Sequence, residues 1–122
     1  MSPLEFEFQL EFYEEDNGDV PVKTFLADEA RSNPQLAART LAAINKLKDR
    51  RYHRSPNTED LGDGMYELRV LGKDGARLLF FHDNGRRIVL CHAFKKTTRK
   101  TPPREKRVAQ ERRQRYGQRQ RQ

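Results

Sequence analysis

The sequence predicts an α+β domain in which two N-terminal helices pack on an antiparallel sheet, and three observations carry that prediction. Three strand-like runs, Met65 to Leu71, Ala76 to His82 and Arg86 to Phe94, are separated by turn signals at Gly72, Asp74 and Gly75 and then at Asp83, Asn84 and Gly85. Phe6, Phe8, Leu10 and Phe12 alternate with Glu5, Glu7, Gln9 and Glu11, the period of a strand with one apolar face. Between these regions, prolines 21 and 34 each open a run with apolar residues at helical spacing.

Taken in order, the N-terminal strand ends at the Asn17-Gly18 turn, and Val22, Phe25, Leu26 and Ala30 form the stripe of a helix ending near Ser32. Asn33 caps a second helix that Pro34 starts, with Ala37, Leu41, Ile44 and Leu47 or Lys48 on one face, so the pair forms a hairpin over the sheet. The cluster Lys46, Lys48, Arg50, Arg51 and Arg54 closes that helix, where cations meet the negative end of its dipole. Residues 52–63 read as a polar loop, with His53 a loop histidine.

In the meander, Tyr66, Leu68 and Val70 share one face of the first strand, while Glu67 and Arg69 share the other. In the next strand both faces are partly apolar, which predicts helices on one side and a shallow cleft on the other. Thr101 is placed to cap a third helix begun by Pro102. Its few apolar positions, Val108, Ala109 and Tyr116, predict weak anchoring, and the final GQRQRQ reads as disordered. This divides the chain into a domain over residues 1–100 and a basic helix and tail over 101–122.

Charge is distributed unevenly. Residues 1–30 hold nine acids and one lysine, whereas from Lys95 onward there are twelve basic residues and two acids, within a chain of net charge +7. A polyanion is the natural partner of the C-terminal end. Cys91, the single cysteine, lies inside an apolar strand and reads as a small buried hydrophobe. MSPLEFEF lacks the basic start and apolar run of a secretory leader, and no stretch approaches a membrane span, so a cytoplasmic location is expected.

Walker loops, GxGxxG, HExxH, paired cysteines and GxSxG elbows are absent from the sequence, which removes the starting material for nucleotide, zinc and acyl-enzyme chemistry. What remains is a basic platform. Arg69, Arg77, Lys95 and Lys96 lie on or beside the meander strands, and His92 is near the end of the last one. Arginines clamp phosphate through paired hydrogen bonds and histidine exchanges protons near neutral pH, which are the parts of a ribonuclease that works without metal or other cofactor. In such an enzyme the RNA 2′-OH attacks the adjacent phosphodiester. The expected catalytic set is Arg69, Arg77, His92 and Lys96, with Lys73, Lys95, Arg99, Lys100, Arg104 and Arg107 on the RNA backbone. Another reading also fits the charge: a non-enzymatic RNA- or DNA-binding module.

Several blocks, Gly64-Met-Tyr-Glu-Leu-Arg69, Arg77-Leu-Leu-Phe-Phe81, Ile88-Val-Leu-Cys-His-Ala-Phe94, Lys96 and Lys100-Thr-Pro102, resemble the phage-derived, HigB-like branch of the RelE/ParE toxin superfamily. The resemblance extends upstream through Phe12-Tyr13, Pro21-Val22 and Phe25-Leu26. It implies a RelE-like fold with a curved sheet and a type II toxin that cuts mRNA in the ribosomal A site, with a gyrase inhibitor, as on the ParE side of the superfamily, as the alternative. The implied partners are the ribosome, mRNA and a cognate helix-turn-helix antitoxin, through which alone operator DNA is reached. Arg69 then resembles a basic catalytic position, Arg77 the phosphate-stabilising arginine, Lys96 the basic residue after the last strand, and His92 a histidine typical of the branch. The chain departs from RelE-type enzymes in placing Glu67 where they carry a lysine, in having Thr97 where a second lysine is usual, and in lacking a stacking tyrosine among residues 96–103.

Overall fold

The computed structural model describes residues 8–120. Five strands, β1 (Gln9–Phe12), β2 (Thr58–Gly62), β3 (Met65–Val70), β4 (Ala76–Asp83) and β5 (Arg87–Lys95), form one sheet in the order β1-β5-β4-β3-β2. Helices α1 (Pro21–Ser32) and α2 (Pro34–Lys46) follow β1, a 3-10 turn spans Arg50–Tyr52, and α3 (Pro103–Gln120) ends the chain. The α+β class and the helical hairpin over the sheet are as expected, and Phe6 of the expected first strand lies outside the described residues.

The sheet differs from a purely antiparallel one. β1 runs parallel to β5, because the α1-α2 hairpin returns the chain to the far side of the sheet before the meander begins. The expected polar loop over 52–63 contains β2, a fifth strand joined to β3 by Asp63 and Gly64, both in the left-handed region (φ 55° and 76°). That is the turn an Asp-Gly pair favours in a two-residue hairpin. Glu59 and Asp60 make β2 a charged edge, which discourages pairing with another chain.

One sheet face packs Leu68, Val70, Leu78, Phe80, Ile88 and Leu90 against Val22, Leu36, Ile44 and Leu47. Each such side chain contributes about 1.5–3 kcal/mol by leaving water. The helical stripes are rotated from those expected: Ala30 and Leu41 face outward, while Glu29 and Thr40 are buried. The Thr40 hydroxyl is satisfied by donating to the Leu36 carbonyl at 2.7 Å. Asn33 caps α2 as expected, its side chain accepting from the Leu36 amide at 3.2 Å.

The opposite face is not an open cleft. α3 lies on it, seating Ala109 and Tyr116 against Met65, Leu79, Phe81, Val89 and Cys91. This helix starts one residue later than expected and continues through Gly117 to Gln120, where disorder was expected. Arginines add to this apolar anchoring by reaching backbone carbonyls. Arg112 donates to the Cys91 carbonyl at 2.8 Å, Arg113 to the Asp63 carbonyl at 2.5 Å, and Arg119 to the Glu14 carbonyl at 2.6 Å. The Tyr116 hydroxyl donates to Asp83 at 3.0 Å. No helix among the described residues is long and apolar enough to cross a membrane.

Candidate functional site

The face under α3 collects the odd-numbered residues of β3 and β4. Arg69 and Arg77 stand directly opposite each other there, a pairing that repels unless a counter-charge intervenes. Glu67 supplies it. Its carboxylate is fully buried and accepts from Arg77 Nη1 at 2.8 Å and from Arg69 Nε at 3.2 Å. The Thr101 hydroxyl also donates to Glu67, which explains why Thr101 does not serve as the α3 cap. Arg77 is 7% exposed, so its charge is internal, while Arg69 reaches outward to a second carboxylate, Glu59. Burial, and then the neighbouring Arg77 charge, lower the Arg69 pKa from its ordinary value.

Arg69 lines a hollow of about 680 Å³ together with Arg99, Lys100, Thr101 and Lys106, and with Glu59, Asp60 and Leu61 of β2. Because Glu67 and Glu59 balance the two arginines and Asp63 pairs with Lys106 at 3.2 Å, the positive field of the hollow comes from Arg99 and Lys100. Lys106 holds the 99–106 segment to the sheet by donating to the Leu61 carbonyl at 2.8 Å.

His92 is elsewhere on this face. A β-bulge after Leu79 leaves Cys91 without a cross-strand partner and turns His92 to the same side, so both residues point at α3. The Cys91 thiol is pushed up to about 12 by burial, as an inert core residue. His92 Nε2 lies 2.9 Å from Glu105 and Nδ1 lies 3.0 Å from Arg112 Nη1. A guanidinium only donates, so Nδ1 accepts, Nε2 carries the proton, and the ring is neutral. Burial lowers the His92 pKa first, opposed by Glu105 and reinforced by Arg112.

A pH dependence follows. The unfolded chain takes up a proton at the ordinary histidine pKa while the folded ring still resists it, so this contribution to stability is lost as pH falls below that value. Equilibrium denaturation at about pH 7.5 and about 5.5 is expected to show a loss of stability that is smaller in His92→Gln. Equal losses would remove His92 as the cause.

The remaining expected cations divide between two places. Lys73, Lys95 and Lys96 surround a separate hollow of about 320 Å³ beside the start of α2, where Lys95 also pairs with Glu29 at 3.2 Å. Arg39 fixes the turn that carries Lys73 by donating to the carbonyls of Leu71 and Asp74 at 2.7 and 2.8 Å. Arg104 and Arg107 lie exposed on the first turns of α3. The structure thus brings Arg69, Arg99 and Lys100 together, places Arg77 behind them, and sets His92 and Lys96 apart. Lys106 and Glu59 join the site without having been anticipated. The only sequence signal for them was charge at the ends of elements whose packing was unknown.

A protein-family model described as "Phage derived protein Gp49-like (DUF891)" matches residues 30–114. No curated protein matches the chain.

Proposed function

Since the chain belongs to the Gp49-like phage-derived family, a RelE/HigB-like toxin family, we propose that it is the toxin of a type II toxin–antitoxin pair and that it cuts mRNA on the ribosome. The observation that carries this reading is the hollow in which Arg69 faces Arg99, Lys100 and Lys106. Four cations around a space of that size suit a bent RNA backbone with one phosphodiester at Arg69.

In the proposed reaction the ribose 2′ oxygen gives its proton to solvent water and attacks the adjacent phosphorus. The bond from phosphorus to the 5′ oxygen breaks, and that oxygen takes a proton from solvent water as it leaves, giving a 2′,3′-cyclic phosphate and a 5′-hydroxyl. Charge grows on the phosphoryl oxygens in the transition state, and cations already fixed there stabilise it without reorganising. RNA phosphate replaces Glu59 as the outer partner of Arg69, while Glu67 keeps the inner one. Arg77 acts through Glu67, holding the carboxylate that aims Arg69. His92, through Glu105, sets the first turn of α3 and with it the loop bearing Arg99 and Lys100. Lys96, with Lys73 and Lys95, meets flanking phosphates, and Arg104 and Arg107 extend the track. Neutralisation is by a cognate helix-turn-helix antitoxin whose acidic or helical segment covers this cleft, and operator DNA is reached only through that antitoxin. The site of action is the cytoplasm.

Adding the protein to a cell-free translation reaction is expected to stop synthesis and shorten the message, with relief by the antitoxin encoded beside it. Arrest with full-length mRNA, or stalled gyrase supercoiling in a parallel reaction, would overturn the nuclease reading.

A further inference from the structure

The other face of the sheet carries an aromatic and cationic cluster that the cleavage site does not use. α2 stops at Lys46, and past its end His82 of β4 is exposed. Its ring stands edge-on to Tyr66 at 5.2 Å and 86° and lies 6.0 Å from the ring of His53. His53 in turn packs on Phe8 at 4.5 Å. Around these rings the chain places Lys46, Lys48, Arg50, Arg51 and Arg54 against one acid, Asp49, which pairs with Arg51 at 2.5 Å.

Of these cations Lys46 sits in the last turn of α2, at the negative end of the helix dipole, and the others lie beyond the helix. His53 Nε2 takes the Leu47 carbonyl at 2.7 Å. The Lys46 ammonium also lies over the Tyr52 ring at 5.4 Å, and Arg50 over Phe8 at 5.7 Å. Lys48 and Arg54 are exposed, and no carboxylate among the described residues pairs with them. The arginines beside the proposed cleavage hollow are, by contrast, balanced by Glu67 and Glu59. Flat rings at a surface, flanked by cations without counter-ions, match what a single-stranded nucleic acid requires: bases stack on the rings, and phosphates meet the charges.

We propose that His82 and Tyr52, with Lys48 and Arg54, form a second RNA-binding surface, a base-stacking platform on the sheet face opposite the cleavage hollow. It rests on the RNA-directed reading above and adds a separate contact. Tyr66 and Phe8 are the floor of the platform rather than its contact groups, since both also pack into the core. The strand it takes is ribosomal RNA or message; the chemistry is shared.

The test uses the full chain and a labelled 2′-O-methyl oligouridine of about 12 nucleotides, which resists cutting, beside an abasic strand of equal length. Fluorescence anisotropy at fixed salt is expected to show the abasic strand binding more weakly, and His82→Ala with Tyr52→Ala weakening oligouridine by about 10-fold. Lys48→Gln with Arg54→Gln alters only exposed side chains and is expected to lower the slope of log affinity against log salt by about 1.4. Loss of ribosome co-sedimentation in the same variants assigns the strand to ribosomal RNA; loss of oligonucleotide binding alone assigns it to message. Equal binding of abasic and base-bearing strands, or wild-type affinity and salt slope in both double variants, overturns the platform. Cutting is read separately: platform binding with intact message overturns the nuclease, whereas Arg69-dependent cutting without platform binding overturns only this inference.

Discussion

Replacing Glu67 by alanine is expected to lower the free energy of unfolding by about 3–5 kcal/mol, measured by equilibrium urea denaturation. The carboxylate is fully buried and is the sole carboxylate that Arg77 reaches among the described residues. Its removal leaves a guanidinium in the interior with no counter-charge, directly opposite Arg69 in register. An uncompensated buried charge costs far more than the pair contributes when intact. Thr101 loses its acceptor as well, freeing the loop that carries Arg99 and Lys100. Glu67→Leu combined with Arg77→Met is expected to recover most of the loss, because a buried pair exchanged for apolar groups of similar volume is often close to neutral. A loss below about 1 kcal/mol for the single variant, the range of an exposed ion pair, would show that Glu67 does not hold Arg77 as described.

The second large effect falls on activity. Arg69→Ala is expected to slow cutting of ribosome-bound message by about 100- to 1,000-fold, the usual cost of removing one fixed donor from a developing oxyanion. Its stability cost is small by comparison. Arg69 is partly exposed, Glu67 keeps Arg77 and Thr101, and Glu59 is released to solvent. Arg77→Ala is expected to lose activity and stability together. That contrast separates the group that meets phosphate from the group that positions it.

Much of the fold was readable because hydrophobic period is a strong local signal: β3, β4, β5, α1 and α2 all begin within a residue or so of where alternation, prolines and turn residues put them. β2 was missed because Thr-Glu-Asp-Leu-Gly is an edge strand whose charges guard against pairing, so it lacks the apolar alternation of a half-buried one. The Asp63-Gly64 turn was the available clue. α3 was undervalued because anchoring was judged by apolar count, whereas its arginines reach backbone carbonyls that no periodicity reveals. The site was half legible. Strand parity put Glu67 and Arg69 on one face, but the bulge after Leu79 resets parity along β5 and places His92 beside Cys91 under α3. Where Arg99, Lys100 and Lys106 fall relative to Arg69 depends on how the 96–102 loop returns over the sheet, which only the three-dimensional arrangement shows.

The most direct measurement is single-turnover cutting of one defined message on programmed ribosomes, with the new 5′ ends mapped. Wild-type protein is expected to produce a discrete 5′-hydroxyl end that disappears when the nucleotide before the cut carries 2′-deoxyribose, and to do so at least about 100-fold faster than Arg69→Ala. A message left whole, or cut at the same rate by Arg69→Ala, would contradict the assignment of RNA cleavage to this hollow.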